Sequence, residues 1–161
     1  SPAHHSGWRT LAMAIQDSTA ARAGQLMRQG YHCSEAVLLS AGEHLLGSVS
    51  PSMIKVASIF GGGVAGTHQE MCGALAGAVM VVGALYGRQS PEFDESRARE
   101  VVTRLRERFA AEFGSTKCEP IRAQYEKPDA AGFCAPVGER TVAILFQVLG
   151  EVLSPGAGAR S

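Results

Sequence analysis

Four cysteines, Cys33, Cys72, Cys118 and Cys134, are the side chains of this sequence best suited to chemistry. A thiolate is a nucleophile, a redox centre and a soft metal ligand. No pair forms a C-x-x-C, which excludes a local thioredoxin-type dithiol, a zinc knuckle and haem attachment through C-x-x-C-H. Four cysteines in 161 residues are also too sparse for a small secreted disulfide scaffold. Any site that uses all four must therefore be gathered by the tertiary fold. His68 precedes Cys72 by four positions, which on a helix places both on one face for a shared ion. His32 adjoins Cys33 and could lower its pKa or supply a proton. His4 and His5 fall in a polar stretch read as a leader, not a site.

Two glycine-rich motifs invite other chemistry. Gly61 to Gly66 satisfies G-x-G-x-x-G literally, but a dinucleotide site needs a preceding strand and an acid about 20 residues on. Met80 to Gln89 offers no acid, and a helix cap opens the preceding segment. The glycines instead read as a loop of positive φ that brings backbone close to a neighbour, or whose N–H groups cradle an anionic centre. Met71 to Gly87 carries no charge and contains two G-x-x-x-G spacings, bounded by Glu70 and Arg88. A bilayer span needs about 20 predominantly apolar residues, so the segment reads as a buried central helix without stable membrane insertion.

The elements that must position the cysteines are helical throughout. Apolar residues recur at helical spacing over Trp8–Gln29 (Leu11, Ala14, Ile15, Leu26), with Gly30 as the stop. Cys33–Leu46 follows, closed by Gly47; Ser50-Pro51 caps a helix through Phe60. Thr67 and Glu70 have the form of a capping box ahead of the Met71–Gly87 helix, which puts Cys72 in its second turn. Pro91–Phe113 is amphipathic, with Phe93, Val101, Val102, Leu105 and Phe109 inward and an alternating Arg/Glu face in solvent. Lys117–Gln124 is a short helix, Glu126–Pro136 a loop, and Val137–Leu153 the last helix. No strand alternation is present. The expected fold is an all-α, single-domain bundle of six or seven helices over residues 8–153, with a flexible leader (1–7) and tail (154–161).

Each cysteine then lies near the start of a helix, where unpaired N–H groups and the positive dipole end stabilise a thiolate. The chain carries 15 basic and 15 acidic side chains. A neutral balance argues against nucleic acid or an anionic membrane surface as partner, and leaves a homodimer open. A cytoplasmic location is expected.

These residues carry a resemblance. Cys33 in HCSEAVLL, Cys72-Gly73-Ala74-Leu75-Ala76-Gly77 as C-G-A-x-x-G, Cys118 in STKCEPI and Cys134 in GFCAPV are together similar to the C_GCAxxG_C_C family, to which a redox role is ascribed. The likeness spans about residues 20–153. It implies a helical domain with four signature cysteines, of a kind found beside electron-transfer modules and iron–sulfur centres, with no reaction or substrate attached. The leading expectation is a redox-active or electron-transfer protein, served by an unidentified redox partner protein, in which Cys33, Cys72, Cys118 and Cys134 converge on one site. That site would hold an iron–sulfur cluster, or cycle without metal between dithiol and disulfide in any of three pairings. Around a cluster, Gly61, Gly62, Gly63, Gly73, Ala74 and Gly77 would make room and donate N–H groups to sulfur. The alternatives are a zinc module of the four cysteines, or of some of them with His68, and an interaction domain with incidental cysteines.

Overall fold

The computed structural model describes residues 2–125, 130 and 132–153. Among them are seven helices and no strand beyond an isolated Met71–Lys117 bridge. The helices are α1 (Pro2–Arg28), α2 (Cys33–Leu46), α3 (Pro51–Ser58), α4 (Gly73–Tyr86), α5 (Ser96–Phe113), α6 (Cys118–Arg122) and α7 (Ala135–Leu153). The all-α bundle read from periodicity is the fold. The expected tail, 154–161, and part of the loop after α6 lie outside the described residues.

Local signals set several ends. Ser50 caps α3, accepting the Met53 N–H at 3.2 Å, with Pro51 in the first turn. Gly30 and Gly47 stop α1 and α2 at positive φ (+104° and +85°). The buried face of α5 is Val101, Leu105, Phe109 and Phe113. Its outer face pairs Arg99 with Glu95 and Arg104 with Glu100, and reaches α7 through Arg108 and Glu151. This is the expected salt-bridged solvent face.

Three expectations fail locally. The amphipathic helix starts at Ser96, not Pro91, because the Asp94 carboxylate accepts the Ser96 N–H at 3.0 Å and fixes the start there. Phe93 lies before that start and is exposed. Helix α1 begins at Pro2; residues 7–14 are exposed, Leu11 among them, and among the described side chains the first buried one is Thr19. The Thr67–Glu70 capping box does not form. Residues 62–66 run with φ between +54° and +69°, and His68 has φ +62°, which a right-handed helix cannot accommodate. The Thr67 hydroxyl turns back to the Gly63 and Val64 carbonyls, both at 2.8 Å, and α4 opens only at Gly73.

Helix α4 is central. Its first half, from Gly73 to Ala78, is buried, as are Val81 and Val82. It packs along α2, with α5 and α7 beside it, while α1 lies along α7. The α2–α4 approach is set by Gly77, where a Cβ would come within 2.6 Å of the Ser34 carbonyl oxygen. Ser34 is fully buried and donates its hydroxyl to the Ala57 carbonyl at 2.7 Å, tying α2 to α3. No described helix is long and apolar enough to cross a membrane.

Candidate functional site

The beginnings of four helices meet at one cavity of about 160 Å³. Cys33 is the first residue of α2, Cys72 the N-cap of α4, Cys118 the first residue of α6, and Cys134 immediately precedes α7. All four side chains line the cavity, with Gly62 and His68. The rest of the wall is largely apolar: Met27, Tyr31, Ile121, Phe133 and Val137, with Arg122. All four thiols are free, Cys72 buried and the others partly exposed.

Local backbone pairing explains why Cys72 and Cys118 meet. Residues 70–72 run antiparallel to 116–118: the Cys72 N–H donates to the Thr116 carbonyl at 2.8 Å, and the Cys118 N–H to the Glu70 carbonyl at 2.9 Å. The His68 carbonyl accepts the Glu119 N–H at 3.0 Å, closing the same seam. Gly63 permits it, because a Cβ there would stand 2.5 Å from Cys118 Cβ and 2.9 Å from His68 Cα.

Cys33 and Cys72 line the same cavity and have opposed acidities. The thiol of Cys72 donates to Cys33 and is the largest influence holding Cys33 down, to about 6 from the ordinary 9.0. Burial opposes this, while the N–H groups of Gly62 and Ser34 and the nearby His32 add to it. Cys72 is pushed well above its ordinary value by the same hydrogen bond, by burial and by the Cys33 charge, although the N–H groups of Ala74 and Leu75 pull the other way. Burial raises Cys134 to about 12 and lifts Cys118 as well; in both the Cys33 charge adds to the rise and Arg122 opposes it. One thiolate among three protonated thiols is the resulting state near neutral pH.

The other residues singled out in the sequence take distinct places. Gly62 reaches the cavity through its N–H. Gly61 lies against the His32 side chain, where a Cβ would meet His32 Cβ at 2.6 Å. Gly73 leaves room for the Cys33 sulfur, and Ala74 is buried behind Cys72. Gly77 serves helix packing one turn further on. His68 and Cys72 do not share a helix face, since His68 sits in the left-handed loop; both nevertheless line the cavity. Among the described residues, no three of His, Cys, Asp and Glu are placed to hold one metal ion. Tyr31, Arg122 and Phe133 were not read from the sequence. Arg122 carried a usable signal, lying four residues after Cys118 and hence on the same side of a helix.

A family model described as putative redox-active protein (C_GCAxxG_C_C) matches residues 31–148, a span that holds all four cysteines. No curated protein and no solved structure matches the chain.

Proposed function

Because the chain belongs to the C_GCAxxG_C_C family, we propose that it is a thiol–disulfide redox protein in which Cys33 is the attacking thiolate and Cys72 the resolving thiol. The observation that carries this reading is the convergence of Cys33 and Cys72 on one cavity, the Cys33 sulfur packed over Gly73 next to Cys72, with the pKa of Cys33 lowered and that of Cys72 raised. A thiolate near ambient pH attacks disulfides efficiently, and a second thiol in contact completes exchange. The Cys33 sulfur attacks an oxidised disulfide, forming a mixed disulfide and expelling one thiolate. Cys72 gives up its proton and attacks the Cys33 sulfur, which releases the second thiol and leaves a Cys33–Cys72 disulfide. Two electrons pass to the substrate disulfide, with one proton from Cys72 and the second from solvent. Cys118 and Cys134 line the same cavity, and burial holds both protonated.

A second reading is supported by the number and kind of donors. Four thiols from four helix starts around one cavity are the ligand complement of an iron–sulfur cluster, and N–H groups already face two of the sulfurs. Cys33, Cys72, Cys118 and Cys134 would hold it, and it would supply one-electron transfer.

Anaerobic purification followed by iron and sulfide analysis, a visible spectrum and peptide mapping after limited oxidation separates the two. The dithiol reading expects colourless, iron-free protein that forms a Cys33–Cys72 disulfide. Stoichiometric iron with visible charge-transfer bands would overturn it in favour of the cluster.

A further inference from the structure

Cys33 is enclosed on one side by backbone. It opens α2, and its sulfur occupies the place of a side chain on Gly73, the first residue of α4. Two helix starts therefore flank one sulfur, and their positive dipole ends favour its thiolate. The Phe60 carbonyl oxygen and Gly61 Cα close on the same place, 3.1 and 3.2 Å from the Cβ position of residue 73. The approach left to an oxidant is the cavity, which Cys33 lines together with Cys72, Cys118 and Cys134. Its volume of about 160 Å³ is close to that of a dry cavity of about 150 Å³ that holds one benzene molecule. A hydroperoxide carries its reacting O–O bond at one end, so the chamber need hold only one small substituent behind it. A disulfide carries a substituent on each side of the reacting bond, and one half of it must stay outside. The lining of Met27, Ile121 and Val137 is apolar and suits a short alkyl group.

We propose that the Cys33–Cys72 pair also reduces a small hydroperoxide, either hydrogen peroxide or a short alkyl hydroperoxide, that enters this cavity. This rests on the thiol–disulfide reading and adds a second class of oxidant. The Cys33 sulfur attacks the terminal oxygen of ROOH, the O–O bond breaks, and RO⁻ leaves and takes a proton from solvent. Cys33 is left as a sulfenic acid, S–OH. Cys72 then loses its proton and bonds to the Cys33 sulfur, and the hydroxyl leaves as water. Two protein thiols and one ROOH become one protein disulfide, one ROH and one water, with two electrons passed to the peroxide.

The test follows oxidation of fully reduced, anaerobic protein by hydrogen peroxide, tert-butyl hydroperoxide and cumene hydroperoxide. Each rate is divided by that of the same reagent with free mercaptoethanol thiolate, which removes intrinsic reactivity. Hydrogen peroxide should oxidise Cys33 at least about tenfold faster than the free thiolate, because the helix starts meet the charge that develops at the leaving oxygen. The normalised rate should fall about tenfold from the tert-butyl to the cumene reagent, whose phenyl group overfills the chamber. In Cys72→Ser the reaction should stop at the sulfenic acid, trapped by dimedone on Cys33 alone, whereas the parent protein forms the Cys33–Cys72 disulfide. Dithiodiethanol serves as the control oxidant and needs no variant. A Cys33–Cys72 disulfide formed by dithiodiethanol, with peroxide rates no higher than the free thiolate or indifferent to substituent size, would refute the hydroperoxide assignment and leave the dithiol reading intact. Failure of every reagent, dithiodiethanol included, to form that disulfide would sink the dithiol reading itself.

Discussion

The sulfur of Cys33 occupies the space that a side chain on Gly73 would need. Residue 73 opens α4, and a Cβ there would also meet the Phe60 carbonyl oxygen at 3.1 Å, so the backbone cannot yield easily. Gly73→Ala should displace the Cys33 sulfur from Cys72, return its acidity toward the ordinary thiol value and cost about 1–3 kcal/mol by overpacking. Gly83, in the same helix, is exposed and has nothing within 4 Å of a built Cβ. Gly83→Ala should raise stability by about 0.5–1 kcal/mol and leave the thiols unchanged. Urea melts with the pH profile of Cys33 alkylation read both effects.

Alkylation of single thiols, mapped by mass spectrometry, should give half-maximal reactivity of Cys33 near pH 6. Cys72, Cys118 and Cys134 should stay slow until pH exceeds the ordinary 9.0. Cys33→Ser removes a negative charge that raises Cys118 and Cys134, so both should become reactive at lower pH than in the parent protein.

Stability should depend on pH with a definite sign. Folded Cys33 holds its proton less tightly than the unfolded thiol, so between about pH 6 and 9.0 the unfolded chain binds more protons. The contribution is complete above 9.0 and is lost as pH falls through about 6. Cys72 and Cys134 act oppositely, retaining protons in the folded state that the unfolded chain has lost above 9.0. Denaturant midpoints should therefore rise from pH 6 toward 9 and fall beyond it. In Cys33→Ser the rise should vanish.

Ala65 lies in the left-handed turn at φ +54° and is exposed. An L-residue there costs about 1–2 kcal/mol that glycine avoids, against a smaller entropic cost of glycine in the unfolded chain. Ala65→Gly should stabilise the protein by up to about 1 kcal/mol, the reverse of the usual sign for this substitution. A lower thermal midpoint would show that the turn is not strained.

Ser34 supplies the buried hydroxyl that joins α2 to α3. Ser34→Ala should cost about 1 kcal/mol in chemical denaturation. It should leave the Cys33 titration close to that of the parent protein, because the Ser34 contact to the Cys33 sulfur is made by its backbone N–H.

Most of the helices were legible because their signals are local. Periodicity placed α2 residue for residue, Ser50-Pro51 opened α3, and the charged stripe of α5 marked its solvent face. The same local rules misread Thr67 to Glu70, because nothing in T-H-Q-E reveals that five preceding residues run left-handed. The exposure of Leu11 was not legible for a different reason: spacing marks an apolar residue but not whether a neighbouring helix reaches that far along α1.

By itself the sequence determined an all-helical chain, four thiols at helix starts and a glycine-rich loop between two of them. All of these follow from backbone preferences that act over a few residues. Only the tertiary structure brought the four thiols to one cavity, lowered the pKa of Cys33 while raising those of the others, and placed Arg122 and Phe133 on the same wall. Acidity depends on which donors and charges surround a sulfur in space. Those neighbours come from Gly62, Ser34 and Cys72, brought together by the close approach of α2 and α4 and by the seam between residues 70–72 and 116–118.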